Sequence, residues 1–395
     1  MTDSLPLDGY RVLEIGAYIS GPFCGALLAS LGADVVKIEP PGGEPFRRGN
    51  ANRDHFFMQY NAGKRSMTVN LKTPEGIQLI KKLLPGFDVL LENNRPGILA
   101  KLGLGAEVCR AINPRLVYTS VSGFGDGGPL RDRPAYDTIG QAIAGNYSLM
   151  NDAGEAKMLG GAISDLISAV AATTGTLAAL LRRAGDDNGV EVKTSLMEAM
   201  SLVTVDAITS FYERGVTPIR TSRHPQAQSY CLPTADKGAV VLHMSVTEKF
   251  WENLCVAMEQ PQLATDARFA TYRDRLENYF VLEPILRGLF LARDRAEWER
   301  RLLDADVPYA PVLTIEEVVH HPQTHWLDLM EPERNGLSLV RPPWRFDDAR
   351  PQRAFDAPLA GEHSEEIAAE VLTSDEIADL RAKGVFGARP EPVAT

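Results

Sequence analysis

RVLEIGAYISGPFCGALLASLGADVVKIEP, residues 11–40, reads as strand, helix, strand. RVLEIGA (11–17) is a short β-rich run, and GPFCGALLASLG (21–32) is a helix of small residues closed by Gly32. ADVVKIEP (33–40) is a second strand, stopped by Pro40 and Pro41. The strands are continuously apolar instead of alternating. That is the signature of a parallel sheet covered on both faces. The same grammar continues outward. SMTVNLK (66–72), DVLLENN (88–94) and RLVYTSVSGFG (115–125) are further strands, and PEGIQLIKKLL (74–84) is a helix with Pro74 at its first position. The expected class is therefore α/β, a doubly wound parallel sheet. Glu39 stands where a ribose-binding acid would sit, but the turn GAYISG (16–21) lacks the glycine fingerprint. A plain parallel-sheet unit is the better reading than a nicotinamide or flavin site.

Past residue 125 come a loop, GDGGPLRDRP (125–134), helices at about 137–151 and 165–183, and a strand running into a helix, EVKTSLMEAMSLV (191–203). Residues 206–233 are poor in apolar side chains and read as a linker. A second unit follows, with strands at 239–245 and 307–314 and helices at about 247–258, 273–292 and 294–305. Two amphipathic helices, 364–372 and 374–384, end the chain.

The 395 residues carry a formal net charge of −11, which argues against a non-specific nucleic-acid binder. Cys24, Cys109, Cys231 and Cys255 form no CxxC pair, so neither a disulfide framework nor a zinc site is indicated. His320, His321 and His325 lie together, but Pro322 argues against a metal-binding helix. The N-terminus has acids where a secretory signal has bases, which leads to the expectation of a cytoplasmic protein with no membrane partner. Lys72 and Arg95 follow strands, where an open sheet binds ligands, and could meet phosphates.

One carboxylate stands out. From Met158 to Leu181 the only charged residue is Asp165. The run reads as a buried helix of a soluble protein, not a membrane span. Asp165 is then either the helix N-cap or a carboxylate held at a pocket wall by the small residues Gly160, Gly161, Ala162 and Ser164 and available as a covalent nucleophile. Both readings stand on the residues alone.

RVLEIGAYISGPFCGALLASLGADVVKIEPPGG (11–43), NAGKRSMTVNLKTPEG (61–76), DVLLENNRPG (88–97), INPRLVYTSVSGFGDGGP (112–129), PAYDTIGQA (134–142), AISDLISA (162–169) and GEHSEEI (361–367) together resemble the class III CoA-transferase family, in family order through nearly the whole chain. The resemblance implies a large doubly wound domain built from both chain ends (1–205 and 321–395), with a smaller α+β domain (234–320) inserted and two copies interlocked as a homodimer. It implies acyl-CoA and carboxylic acid substrates, coenzyme A as substrate and product, and no metal or redox cofactor. Asp165 matches the family nucleophile, which forms a mixed anhydride and then an aspartyl-CoA thioester.

Matched CoA- and substrate-binding positions are Ser20, Val69, Asn70, Leu71, Lys72, Asn93, Asn94, Arg95, Lys101, Ala135, Tyr136 and Asp137. Ile19 and Pro40 replace a Gln and a CoA-contacting Arg of formyl-CoA transferases, which argues against formyl-CoA and oxalate. The family's glycine-rich lid corresponds to RHPQAQSYCLP (223–233), which has no glycine. In the racemase branch a His and a Glu assist the Asp; here Tyr136 and Thr247 occupy those positions. Tyrosine is a poor proton shuttle at neutral pH, so the departure favours CoA transfer over the alternatives, a racemase or epimerase and a catalytically silent acyl-CoA-binding homologue.

Overall fold

The computed structural model describes residues 5–47, 54–183, 185, 188–245, 248–334, 336–353 and 356–387. Its larger unit comprises Met1–Tyr147, Met158–Thr209 and Asp328–Thr395; the smaller comprises Ser148–Lys157 and Ser210–Leu327. The expectation placed all of 1–205 in the large domain, whereas Ser148–Lys157 groups with the smaller unit.

The large unit runs β1 (Arg11–Ile15), α1 (Ser20–Ser30), β2 (Asp34–Glu39), α2 (His55–Asn61), β3 (Arg65–Thr68), α3 (Pro74–Leu83), β4 (Val89–Glu92), α4 (Ile98–Lys101), α5 (Ala106–Ile112), β5 (Val117–Ser122), α6 (Asp137–Ile143), the first residues of α7 (Asn146–Met150, the rest of which groups with the smaller unit), α8 (Ile163–Arg183), β6 (Glu191–Ser195) and α9 (Leu196–Ser201). The six strands pair in parallel in the order β3-β2-β1-β4-β5-β6.

Alternate residues of β1, β2, β4 and β5 feed two cores. Leu13, Ile15, Val36, Ile38 and Leu90 meet Leu79 and Ile80 of α3 and Cys109 of α5. Val12, Val35, Val89 and Leu91 meet Cys24 and Leu28 of α1 and Ala169, Ala172 and Leu180 of α8. This two-sided burial is why the strands read as unbroken apolar runs. Helix α8 is long and apolar enough to cross a membrane; its small residues pack on the second of these cores.

The strands are shorter than their apolar runs. β3 stops at Thr68 because Val69–Lys72 turns into α3: Thr73 caps that helix through Gly76 N–H, and Pro74 opens it. The expected helix over 137–151 breaks into α6 and α7 at Gly145, whose φ of +85° is left-handed.

Helix α10 (Val205–Arg214) follows α9. The smaller unit then has α11 (His224–Ala227), β7 (Ser229–Pro233), β8 (Ala239–His243), α12 (Glu248–Ala257), α13 (Gln262–Thr265), α14 (Tyr272–Glu277), α15 (Tyr279–Phe290), α16 (Arg295–Asp304), β9 (Tyr309–Pro311), α17 (Ile315–His320) and α18 (Pro322–Trp326). β7, β8 and β9 form an antiparallel sheet over a core that includes Trp251, Phe290 and Trp298. The expected linker 206–233 is thus largely α10, α11 and an edge strand. In β7 only Tyr230 and Leu232 are buried while Cys231 faces out, so its alternation is too short to stand out from a loop. The chain ends with α19 (Ser364–Ala368) and α20 (Ser374–Ala382), which return Ile367 and Ile377 to the first core of the large unit.

Candidate active site

A cleft of about 190 Å³ opens at the carboxyl ends of β1, β4 and β5. β1 and β4 are sheet neighbours, and the strand order reverses between them; such a switch point is where open α/β sheets bind ligands. Tyr18 and Ser20 from the β1–α1 turn, Asn93–Pro96 after β4, Val121–Gly123 at the end of β5, Arg133–Tyr136, Asp165 and Leu196 line it. A second cleft, of about 250 Å³, shares Asn94, Arg95, Pro96 and Ser122 with the first. Glu92 lines this second space, and burial pushes its pKa up to about 7.

Two asparagines lock the cleft's floor. Asn93 accepts from Ala17 N–H (3.0 Å) and donates to Ala17 O (2.9 Å) and Ser20 Oγ (3.0 Å). Asn94 donates to Ile15 O at 3.0 Å. A Cβ on Gly16 or Gly21 would stand 2.8 Å from the Asn93 side chain. These glycines therefore let the two turns approach each other. Tyr136 is 60% exposed, and its ring meets Tyr18 edge-on at 5.7 Å.

Asp165 lies in the first turn of α8, because that helix begins at Ile163. The N-cap expectation is corrected accordingly: the Asp165 N–H is itself capped, donating to Asp137 Oδ1 at 3.1 Å. Asp137 is held in turn by Gln141, whose Nε2 donates to its Oδ2 (2.6 Å) and to Gly161 O (3.1 Å). Asn146 braces Gln141 from behind (2.9 Å). Gly140 lets α6 lie on α8, since a Cβ there would stand 2.2 Å from Ser164 Oγ.

Among the described residues no donor or cation reaches the Asp165 carboxylate. Burial, and then the charge of Asp137, push its pKa up to about 7. Burial also raises the Tyr60 phenol, with Asp165 and Asp137 adding to the effect. Arg95 and Arg133 line the same cleft, and among the described residues neither has a carboxylate partner. Arg131, by contrast, is paired with Asp132 at 3.0 Å.

Of the site residues expected from sequence, Ser20, Asn93, Asn94, Arg95, Ala135, Tyr136 and Asp165 share this cleft, with Asp137 hydrogen-bonded behind Asp165. Val69, Asn70, Leu71, Lys72 and Lys101 do not line it. Val69 is buried in the first core with Leu71 packed on it. Asn70 caps its own turn by accepting from Lys72 N–H at 3.1 Å. Lys72 and Lys101 are exposed. Thr247 lies outside the described residues. Tyr18, Ser122, Gly123, Arg133 and Leu196 were not expected in the site. Their place depends on three separate strand ends converging, which no local pattern reports; only the glycines around Tyr18 hint at a tight turn.

Residues 7–364 match the model of CoA-transferase family III. Succinyl-CoA–D-citramalate CoA-transferase of Chloroflexus aurantiacus is 33% identical over 395 residues, covering 96% of this chain and 98% of the relative. Succinate–glutarate CoA-transferase of Agrobacterium fabrum is 31% identical over 396 residues, covering 94% and 97%. The crystal structure of a CaiB/BaiF family protein from Brucella suis superposes with a TM-score of 0.83 at 30% identity, covering 94% of this chain and all of that one. With the switch-point cleft, these matches place the chain in CoA-transferase family III, as a CoA-transferase.

Proposed function

We propose that the chain moves CoA from succinyl-CoA, or a similar dicarboxylic acyl-CoA, to a carboxylic acid acceptor, with Asp165 as covalent nucleophile. The observation that carries this reading is a carboxylate in an open cleft with no cation or donor on it among the described residues. An ionised Asp165 is disfavoured by burial and by Asp137, and acylation removes that charge.

An Asp165 oxygen attacks the thioester carbonyl. The C–S bond breaks and CoA leaves as thiolate, giving a mixed anhydride. The thiolate then attacks the Asp165 carbonyl, releasing the donor acid and leaving an aspartyl-CoA thioester. The acceptor carboxylate attacks that same carbonyl and expels the thiolate, forming a second anhydride. Attack of the thiolate on the acceptor carbonyl gives the new acyl-CoA and restores Asp165. Each intermediate keeps one activated acyl bond, a thioester or an anhydride, as donor and acceptor acids exchange, so no external energy source enters.

Arg95 and Arg133 support an anionic ligand here, a CoA phosphate or the far carboxylate of a diacid, since guanidinium groups grip such anions through paired N–H bonds. The names of the relatives, succinyl-CoA with D-citramalate and succinate with glutarate, favour a dicarboxylic acceptor. A homodimer belongs to the same reading. Helix α10 buries none of its residues and exposes Ile208, Phe211 and Tyr212, an apolar face a second copy would cover.

The test is trapping. Incubation with succinyl-CoA and then hydroxylamine should derivatise Asp165, as read by peptide mass spectrometry. Asp165→Ala and Asp165→Asn should lose about 10³-fold or more of the transfer rate on mono- and dicarboxylic acceptors alike. Unmodified Asp165, or an alanine variant within tenfold of the wild type, would sink the nucleophile assignment.

A further inference from the structure

Below the cleft floor lies a cluster of charges that the transfer steps do not use. Glu14 on β1 is wholly buried and takes Lys37 Nζ on one oxygen (2.9 Å) and Lys64 Nζ on the other (2.7 Å). Lys37 also stands 3.6 Å from Glu44. Burial opposes the charge on Lys37, but Glu14, Glu44 and Glu39 around it hold its pKa above the ordinary lysine value. Lys64 shares Glu14 with a second cation, and burial draws its pKa down to about 8.

Apart from Lys64 Nζ donating to Asn61 Oδ1 (3.0 Å), the remaining side-chain bonds of these groups go to backbone of the β1–α1 turn and the first turn of α1. Lys37 Nζ donates to Gly16 O (2.9 Å), Lys64 Nζ to Pro22 O (2.7 Å), and Glu44 Oε2 accepts from Tyr18 N–H (3.0 Å). The start and middle of the turn that carries Tyr18, and the first turn of the helix that Ser20 opens, are therefore fixed by buried charge. Tyr18 has φ of +67°, a left-handed conformation that a tyrosine rarely adopts unless its surroundings impose it.

Burying several ions is a poor route to stability, because the loss of hydration offsets most of their mutual attraction. Their value here is directional. We propose that the Glu14–Lys37–Lys64–Glu44 cluster is a positioning device for the cleft wall, with Glu44 the positioning residue that couples it, through Tyr18, to the binding of CoA and its thioesters. This rests on the cleft being the CoA site but not on Asp165 being the nucleophile.

Three substitutions at Glu44 separate reach from charge. Glu44→Gln keeps an oxygen able to meet Tyr18 N–H but loses the charge facing Lys37. Glu44→Asp keeps the charge but falls short of Tyr18. Glu44→Ala loses both. Dissociation constants for CoA by calorimetry, KM for succinyl-CoA and melting temperature are measured for each. Binding should follow reach: Gln within threefold of wild type, Asp and Ala weakened about tenfold, with kcat changed much less. Melting temperature should follow charge, with Asp above Gln. CoA affinity that tracks melting temperature across the series, or is unchanged in Glu44→Asp, overturns the proposal. The Asp and Gln pair decides the question even if Ala does not fold. A wild-type protein that fails to bind CoA overturns this inference together with the assignment of the cleft, whereas loss of Asp165 trapping alone leaves it standing.

Discussion

Asp165 was visible in the sequence because a lone charge among small residues is conspicuous. Its partner was not. Asp137 is 28 residues away in sequence, and only the close packing of α6 on α8 brings it to the Asp165 N–H. The pairing has a pH signature. Attack needs the ionised carboxylate, so the transfer rate should fall as pH drops through about 7, the value burial and Asp137 set for Asp165. Asp137→Asn keeps an oxygen for the N–H and removes the like charge, so it should move that limb to lower pH while burial holds it above the ordinary aspartate value. The stability sign runs the opposite way to a salt-bridged acid. The native state holds this proton more tightly than the unfolded chain, so Asp165 lowers stability increasingly from about pH 4 to about pH 7. Asp165→Asn should melt higher than wild type at pH 8, by on the order of 2 kcal/mol once solvent access is allowed for, and equally at pH 4. A rate profile flat from pH 5 to 8 contradicts the assigned environment.

Element by element, legibility followed burial. β1, β2 and β4 are buried on both faces and read as apolar runs; β7, an edge strand with one wet face, reads as linker. Helix α1 was readable as a helix, but the reason for its small residues was not. Gly25 lies over the buried Glu14 carboxylate, and a Cβ there would stand 2.0 Å from Glu14 Oε2 and 3.1 Å from Lys64 Nζ. Two lysines pin that carboxylate, so it cannot yield cheaply. Gly25→Ala should destabilise the protein by roughly 3 kcal/mol, the upper end for overpacking a core. Gly288 on α15 has open space around its Cβ position, and Gly288→Ala should be neutral or gain up to about 1 kcal/mol from helix propensity. Equal urea midpoints for the two variants would show that α1 is free to move off Glu14.

At the scale of the molecule, the α/β class was legible because two-faced strands allow few other architectures. The closing of the sheet edge was not, since it joins residues about 300 positions apart. β3 is one of the two edge strands of the sheet. Its Ser66 O accepts from His363 N–H (2.9 Å) and its Thr68 N–H donates to Ser364 Oγ (3.1 Å). Ile367, Ile377, Val385 and Phe386 complete the core beneath it. At about 1.5–3 kcal/mol for each large apolar side chain buried, those four contribute on the order of 6–12 kcal/mol, comparable with the whole stability of a typical domain. Truncation after residue 358 should therefore leave the large unit without a cooperative melting transition in calorimetry; a native-like melt would refute this accounting.

That capped edge carries a consequence for biosynthesis. The first six strands are all made before residue 196 emerges from the ribosome, yet the β3 edge keeps a bare flank until the last thirty or so described residues follow. Throughout that interval the nascent sheet offers unpaired strand donors to any neighbouring chain. The cleft floor hangs from the same strands, so a ribosome stalled short of the end releases an aggregation-prone fragment, not a weakly active enzyme.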